Sequence, residues 1–295
     1  MRVTNQSLST RLLSSIQTAQ MRLSDTQERV ATGRRINRPS DDPFGTSRSI
    51  AAHASLDLVA QHQRTITLAR SELASTESVL ASLGDVIVRA QELSVEADSS
   101  AIDGAGRRQI AAEVNQLLSE AITLGNTSNA GRRIFSGQQT QTAPFVEDVP
   151  GHATVVTYQG DAGQIQREIG EGEQMPVNLQ GDAIFTSLFQ SLIAFRDALN
   201  TNDLNAVAAA SGNMSDHLDT VLQERGEIGA RTRRLDLADT RLQGITLQLQ
   251  TNISNVEDAD VTKELVDMQT RETALQAALA ATGRSLITSL LDFLR

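Results

Sequence analysis

A ladder of apolar residues at seven-residue spacing constrains the fold of this 295-residue chain more than any other feature. Every position is apolar: Val207, Met214, Val221, Ile228, Leu235, Leu242, Leu249 and Val256. Such a repeat keeps one seam on one side of a slightly underwound helix and favours left-handed packing against another helix. The companion seam is weaker, because Arg225, Thr232 and Asp239 interrupt it. The pattern predicts one long packing helix and leaves a coiled coil and an ordinary amphipathic bundle helix both open.

Two further stretches alternate apolar residues at spacings of three and four, from Ala69 to Ala90 and from Ile110 to Leu124. This spacing predicts two more helices. Residues 103–106, with the sequence Asp-Gly-Ala-Gly, are expected to form the turn between them. Gly125-Asn126 is expected to form a left-handed stop after the second helix.

Both ends of the chain carry amphipathic stripes. Gly33 is expected to end the first helix, and Asp258 or Asp260 to begin the last one by binding free helix N–H groups. Residues 1–40 hold seven basic and two acidic residues, whereas residues 251–295 hold four basic and seven acidic ones, so the ends are expected to attract each other. We predict an assembly interface on these stripes: Leu8, Leu12, Ile16, Leu23, Leu265, Met268, Leu275, Leu279, Leu286 and Phe293.

Residues 131–185 differ from the rest, with a high density of glycine and four of the eight aromatic residues. Alternation in 152–158 and in 164–169, separated by Gly-Asp-Ala-Gly at 160–163, predicts a hairpin. Between residues 147 and 182, Arg167 stands alone against seven acidic residues, which predicts a solvated outer lobe. The predicted fold is mainly α: a long-helix bundle or coiled coil with a small β-containing outer lobe.

These patterns divide the chain into five segments. We predict an N-terminal assembly helix and linker (1–44), the N-terminal part of a helical core (45–130), a β-rich outer lobe (131–185), the C-terminal part of the core (186–256) and a C-terminal assembly helix (257–295).

Charge and composition exclude several classes of protein. The formal net charge of −10 argues against a nucleic-acid partner, which requires a basic surface. Cysteine is absent, so no disulfide framework or thiolate metal site is available. No apolar run has the form of a signal peptide or approaches the ~20 residues of a membrane span, so no membrane insertion is expected.

Candidate chemical groups are few, and each has a structural explanation. The four histidines include no pair at the i, i+4 spacing of a helical metal site. Asp41-Asp42 and the Asp258/Asp260 pair lie at predicted helix starts, where capping explains them. Arg107-Arg108, Arg132-Arg133 and the arginines at 231, 233 and 234 lack interleaved aromatic residues, which favours solvated faces or inter-subunit salt bridges. We therefore expect no enzyme, and no catalytic, cofactor or metal site.

Three segments carry motifs that the helical pattern does not require. The first is ATGRRINRPSDDP at 31–43, in which Gly33 stops one helix and Asp42-Pro43 starts the next. The second is GRRIFSG at 131–137 with TAPF at 142–145. The third is ERGEIGAR at 224–231, followed by RLD at 234–236 and DAD at 258–260.

Together and in this order, these segments resemble the bacterial flagellin family along essentially the whole chain. Pro43-Phe44-Gly45 follows the Asp-Asp pair, where filament proteins of the family usually have Ala-Ala-Gly, and is similar to the family's hook-filament junction branch. The resemblance implies a flagellin-like fold and a structural adaptor without a substrate.

The same resemblance implies a location and partners. The chain would be secreted without a cleaved signal peptide and assemble as a ring at the hook-filament junction of the flagellum. The implied partners are the first hook-associated protein, flagellin, further copies of the chain itself, an export chaperone and the type III export apparatus. A flagellin filament subunit and, more distantly, a cytoplasmic coiled-coil scaffold remain the alternatives.

Overall fold

A computed structural model of the chain describes the backbone of residues 2–293 and the side chains of Ser7 and residues 10–283. Over this backbone the chain forms six α-helices: α1 (Arg2–Thr32), α2 (Pro43–Asp98), α3 (Gly104–Gly125), α4 (Ser187–Thr201), α5 (Leu204–Glu257) and α6 (Val261–Phe293). Six short strands and a π-helical turn (Asp182–Thr186) lie between α3 and α4: β1 (Ser128–Asn129), β2 (Arg132–Arg133), β3 (Phe145–Glu147), β4 (Val156–Tyr158), β5 (Gln166–Gly170) and β6 (Glu173–Pro176). The mainly α prediction is confirmed.

These elements form two compact units. The first comprises residues up to 58 together with residues from 244 onward, and the second comprises residues 59–243. Helices α2 and α5 each contribute residues to both units. The two units do not test the predicted division into five segments, which stays a prediction.

The apolar ladder forms the core of α5. Its first six positions, from Val207 to Leu242, are at most 4% exposed, and Leu249 and Val256 are half-buried. In the second unit α5 is bound to α2 by ion pairs, with Arg70 2.7 Å from Asp236. A second pair joins Glu77 and Arg225 at 2.8 Å. The later residue of α2, Glu77, contacts the earlier residue of α5, Arg225, so the two helices run antiparallel.

The predicted helices over 69–90 and 110–124 are both present, but the turn between them lies elsewhere. Gly104 and Gly106 already belong to α3, whose N-terminus is capped by the Asp103 carboxylate accepting from the Gly106 N–H at 2.7 Å. The reversal therefore occurs before residue 103. The sequence places Asp103 where a capping residue is favoured, and the two glycines follow it inside the first turn.

The predicted left-handed stop at Gly125-Asn126 is wrong in its geometry, although α3 does end there. Asn126 has φ −90° and ψ 11°, which is not left-handed. Its side-chain amide instead bonds both the carbonyl and the N–H of Phe145, at 2.8 and 3.0 Å. A Cβ on Gly125 would lie 2.7 Å from the Phe145 ring, so glycine allows the lobe to approach α3.

The predicted hairpin of residues 152–158 with 164–169 is also wrong. β4 pairs antiparallel with β3, placing Tyr158 opposite Phe145, and β5 pairs with β6. The Phe145 and Tyr158 rings pack with centroids 5.3 Å apart, and the Tyr158 hydroxyl donates to the Phe135 carbonyl at 3.0 Å. Packing of these aromatic rings selects a pairing that alternation within the two strands does not specify.

The lobe is not simply a solvated acidic surface. The Glu173 carboxylate accepts from Arg234 at 3.0 Å and from Arg241 at 2.7 Å on α5. These two guanidinium groups, Arg241 more strongly, hold the pKa of Glu173 below its ordinary value. Arg167 likewise donates to Glu72 on α2 at 2.7 Å. Ion pairs therefore fasten the lobe to both long helices.

Arg107 contradicts the expectation that the paired arginines are solvated or used between subunits. It is 6% exposed, and its guanidinium donates to the Ala97 carbonyl at 3.0 Å and to the Asn202 side chain at 2.9 Å. It thus links the end of α2 and the start of α3 to the turn between α4 and α5. The exposed Arg108 donates to the Gly104 carbonyl at 3.1 Å, within its own helix.

Leu235→Ala is expected to lower the free energy of unfolding of the second unit by about 2–5 kcal/mol, because the Leu235 side chain is 0% exposed. Leu237→Ala is a matched control two residues away on the same helix, since Leu237 is 73% exposed. The control should change stability by less than about 0.5 kcal/mol. Denaturant unfolding of both variants measures the difference, and equal effects would contradict the proposed core.

Candidate assembly surface

The two terminal stripes lie against each other in the first unit, where α1 packs along α6. As their opposite charges predict, Arg29 lies 3.4 Å from Glu264. In addition, the Arg271 guanidinium donates to the Arg22 carbonyl at 2.8 Å. The predicted attraction between the two ends of the chain is confirmed.

This pairing covers only one flank of the α6 stripe. Leu12, Ile16, Leu23, Met268 and Leu275 are half-buried. Leu265 and Leu279 remain exposed, by 45% and 48%, as does Val261 by 43%. The side chains of Leu8, Leu286 and Phe293 lie outside the described residues. Seven of the predicted interface residues are therefore placed on one helix pair, with an apolar edge left open to solvent.

Hydrogen bonds between residues 33–35 and 256–259 connect this helix pair to the neighbouring ends of α2 and α5. We call this connection the joint. Gly33 ends α1 with φ 69°, as predicted, and its carbonyl accepts from the Ala259 N–H at 2.9 Å. The Glu257 carbonyl accepts from the Arg35 N–H at 2.6 Å, so residues 34 and 258 form an antiparallel bridge. The Arg35 guanidinium adds a bond to the Val256 carbonyl at 2.7 Å. Backbone hydrogen bonds thus join two segments that lie more than 200 residues apart in the sequence.

The Glu257 side chain lies at the centre of the joint and is nearly buried, with 11% of it exposed. Its carboxylate accepts from the Ser49 hydroxyl and lies 3.0 Å from Nε2 of His53, both on α2. Arg34 lies 3.7 Å away. Chiefly the Ser49 hydrogen bond, and then His53 and Arg34, lower the pKa of Glu257. A buried anion with three partners fixes α5 to α2 and to the loop after α1.

The aspartates at the predicted helix starts act as caps in two of the four cases. Asp42 accepts from the Gly45 N–H at 2.8 Å, and α2 begins at Pro43 as predicted. Asp260 accepts from the Thr262 N–H at 3.0 Å, at the start of α6. Asp41 instead accepts from the Arg38 N–H at 2.9 Å within the loop, while the Asp258 carboxylate accepts from the Ser254 hydroxyl.

Sequence reasoning missed the partners of this joint. Glu257, Ser49 and His53 carry no spacing signal, because their side chains meet only through tertiary structure. The nearest available signal was the Asp258-Ala259-Asp260 motif, which directly follows Glu257. Among the described residues, no group of three or more His, Cys, Asp or Glu side chains could hold a metal ion, and none of the helices there is long and apolar enough to cross a membrane.

Two family models match the chain. The bacterial flagellin N-terminal helical region matches residues 3–140, and the bacterial flagellin C-terminal helical region matches residues 212–294. These matches include α1 to α3, most of α5 and α6, and therefore both sides of the joint.

Individual relatives cover most of both chains. Flagellar hook-associated protein 3 of Escherichia coli is 27% identical over 86% of this chain and 87% of its own length. A flagellar filament 30.7 kDa core protein of Treponema maltophilum is 26% identical over 86% and 85%. The crystal structure of Bacillus cereus FlgL matches with a TM-score of 0.61 and 25% identity, over 69% of this chain and 99% of that one. The flagellar junction protein FlgL of Legionella pneumophila shares the fold, with a TM-score of 0.59 and 14% identity, over 72% and 100%.

Glu257→Gln is expected to destabilise the joint by about 1–3 kcal/mol at neutral pH, because hydrogen bonds to a charged acceptor are lost. Since folding lowers the pKa of Glu257, its stabilising effect is fully present above the ordinary glutamate pKa of about 4.3 and is lost as the pH falls through the lowered value. The difference between the variant and the wild type should therefore shrink on acidification. The Arg35 and Ala259 amides donate hydrogen bonds across the joint. Their hydrogen-exchange protection, compared between the variant and the wild type, measures the loss of stability.

Glu28→Gln is the matched control within the same unit. The Glu28 carboxylate is 37% exposed and accepts from Arg38 at 2.9 Å. An exposed pair of this kind contributes less than about 1 kcal/mol. Equal loss of amide protection in the two variants, or a difference that does not change with pH, would refute the role of Glu257.

Proposed function

The chain belongs to the bacterial flagellin family, and we propose that it joins the hook of the bacterial flagellum to the filament as a ring of copies of itself. The family consists of structural flagellar proteins, and this chain is one of them. The proposal therefore assigns it a mechanical role with no substrate: it is held between two different assemblies and transmits torque from one to the other.

The observation that carries the proposal is the resemblance to proteins named for the hook-associated position. The similarity to the E. coli hook-associated protein 3 runs over 86% of this chain, and the B. cereus FlgL structure is matched over 99% of its length. The Pro43-Phe44-Gly45 sequence at the start of α2 supports the same position. Ring formation, the neighbours in the flagellum and secretion are parts of the proposal.

The proposed partners follow from that position. The first hook-associated protein lies on the hook side and flagellin on the filament side, while copies of this chain contact one another around the ring. Before assembly the chain passes through the type III export apparatus with the help of an export chaperone, and it is secreted by that route. The open apolar edge of α6 is a surface that assembly can cover.

A flagellin filament subunit is the second candidate, and the similarity to the T. maltophilum filament core protein favours it. Immunogold labelling of sheared flagella separates the two functions. Label confined to the hook end of the filament is expected for a junction protein. Label along the whole filament would instead identify a filament subunit.

Leu265→Asp combined with Leu279→Asp should block assembly while leaving the fold intact, because both side chains lie on the exposed edge of α6. Burial of each leucine contributes about 1.5–3 kcal/mol, and charged side chains would oppose that burial. Cells with only this variant should shed flagellin into the medium. Filament length by electron microscopy and flagellin in the culture supernatant are the measurements.

Thr270→Asp combined with Ala277→Asp is the control, because it adds the same charge on the opposite, exposed side of α6. This control should support normal filaments. Circular dichroism of both purified variants verifies that they remain helical. Normal filaments with the Leu265/Leu279 variant would rule out this edge as an assembly interface.

A further inference from the structure

The second unit contains a cavity of about 300 Å³ that the proposed ring position does not explain. One wall is α2, which contributes Leu68 and Thr76, and the other is the lobe, which contributes Ile134, Ile165 and Val177. Leu68 is 59% exposed at its edge. An apolar cavity of this size accepts one or two side chains of a partner, since it is at the small end of the range for ligand sites.

The charge of the cavity is positive in a chain that is strongly negative. Arg132, Arg133 and Arg167 line it together with one acidic residue, Glu72. Arg167 is 2.7 Å from Glu72, so that pair is satisfied, whereas Arg132 comes only within 4.0 Å of the same carboxylate. The Arg132 side chain is 45% exposed. The cavity therefore favours an apolar group that carries a negative charge beside it.

The rim of the cavity is held in an unfavourable backbone conformation. Ala130 and Gly131 form the two-residue turn between β1 and β2, with φ values of 50° and 77°. Such a turn needs positive φ at both positions, where glycine or asparagine is favoured over alanine. The arginines that follow the turn are thus presented from a tight hairpin.

The tip of the β3–β4 hairpin in the same unit has the complementary properties. Val146, Val149 and Val155 are 40%, 47% and 58% exposed there. Glu147 and Asp148 lie among these valines, and no Lys or Arg occurs between residues 134 and 166. The tip is therefore a small apolar surface with negative charge, of the kind that the cavity favours.

This tip is also preorganised. The Asp148 carboxylate accepts from the Thr154 and Val155 N–H groups at 2.8 and 3.0 Å. The carbonyl of Ala153 accepts from the buried Arg196 guanidinium at 2.7 Å, which ties the tip to α4. A surface that is already ordered loses little conformational entropy on binding.

We propose that the β3–β4 tip of one copy of the chain docks in the cavity between α2 and the lobe of the next copy. Because the two surfaces are different, this contact is heterologous, and repeated contacts close into a ring or continue as a helix. The proposal rests on the proposed ring assembly and adds to it the surfaces through which adjacent copies recognise each other. Charge complementarity fixes the direction of the contact.

Site-specific cross-linking tests this contact, because the chain has no cysteine of its own. Val149→Cys and Leu68→Cys are made separately in the full chain and expressed together in cells deleted for the native gene. Isolated flagella are then treated with a short bismaleimide. A cross-linked dimer that contains one copy of each variant is expected, with little dimer when either variant is present alone.

Val95→Cys, expressed with Val149→Cys, is the matched control, since Val95 is a 63% exposed residue of α2 outside the cavity. It should give no mixed dimer. Filaments that form without the Val149–Leu68 cross-link, or with equal cross-linking to Val95, would overturn the docking contact while leaving the junction function intact. If the wild-type chain itself fails to restore filaments, the junction function fails, and the ring contact proposed on its basis is rejected with it.

Discussion

Burial of the apolar ladder of α5 is the interaction on which the rest of the structure depends. Aromatic residues are only 3% of the chain, so aliphatic side chains along the long helices supply most of the apolar burial. In the second unit, the seam positions from Val207 to Leu242 are nearly inaccessible to solvent. Ion pairs along the edges of α2 and α5 then fix their antiparallel alignment, which a continuous apolar seam alone leaves free to slide.

Two sets of polar contacts hold other parts of the chain to α2 and α5, one set within each unit. The lobe is held by Glu173 and Arg167, whose partners lie on α5 and α2. The terminal helix pair is connected through the buried carboxylate of Glu257. Removing one partner from such a cluster leaves a charged group without its hydrogen-bond partner, so each cluster favours one arrangement of the elements that it joins. This suits a protein whose proposed role is to hold neighbouring copies in a fixed arrangement.

Proteins that assemble from many copies leave apolar surface uncovered in the single chain, and two surfaces of this chain are proposed to serve such contacts. The edge of α6 at Leu265 and Leu279 is uncovered by α1, while the β3–β4 tip presents valines beside acidic residues. The first surface lies on a helix, and the second lies on a hairpin whose turn is held by hydrogen bonds. Contacts made by such elements lose little conformational entropy on association, so many weak contacts, repeated around a ring, add up to a stable structure.

The sequence by itself determined the long helices, their apolar seams and several of their ends, because helix periodicity, Gly33 and the Asp42-Pro43 and Asp260 starts act locally. It also determined the family, through motifs spread along the chain. Only the tertiary structure decided that β4 pairs with β3, that Asn126 binds the lobe, and that Glu257 meets Ser49 and His53. These contacts depend on side chains that lie far apart in the sequence. A local sequence pattern does not indicate which of them come together after folding.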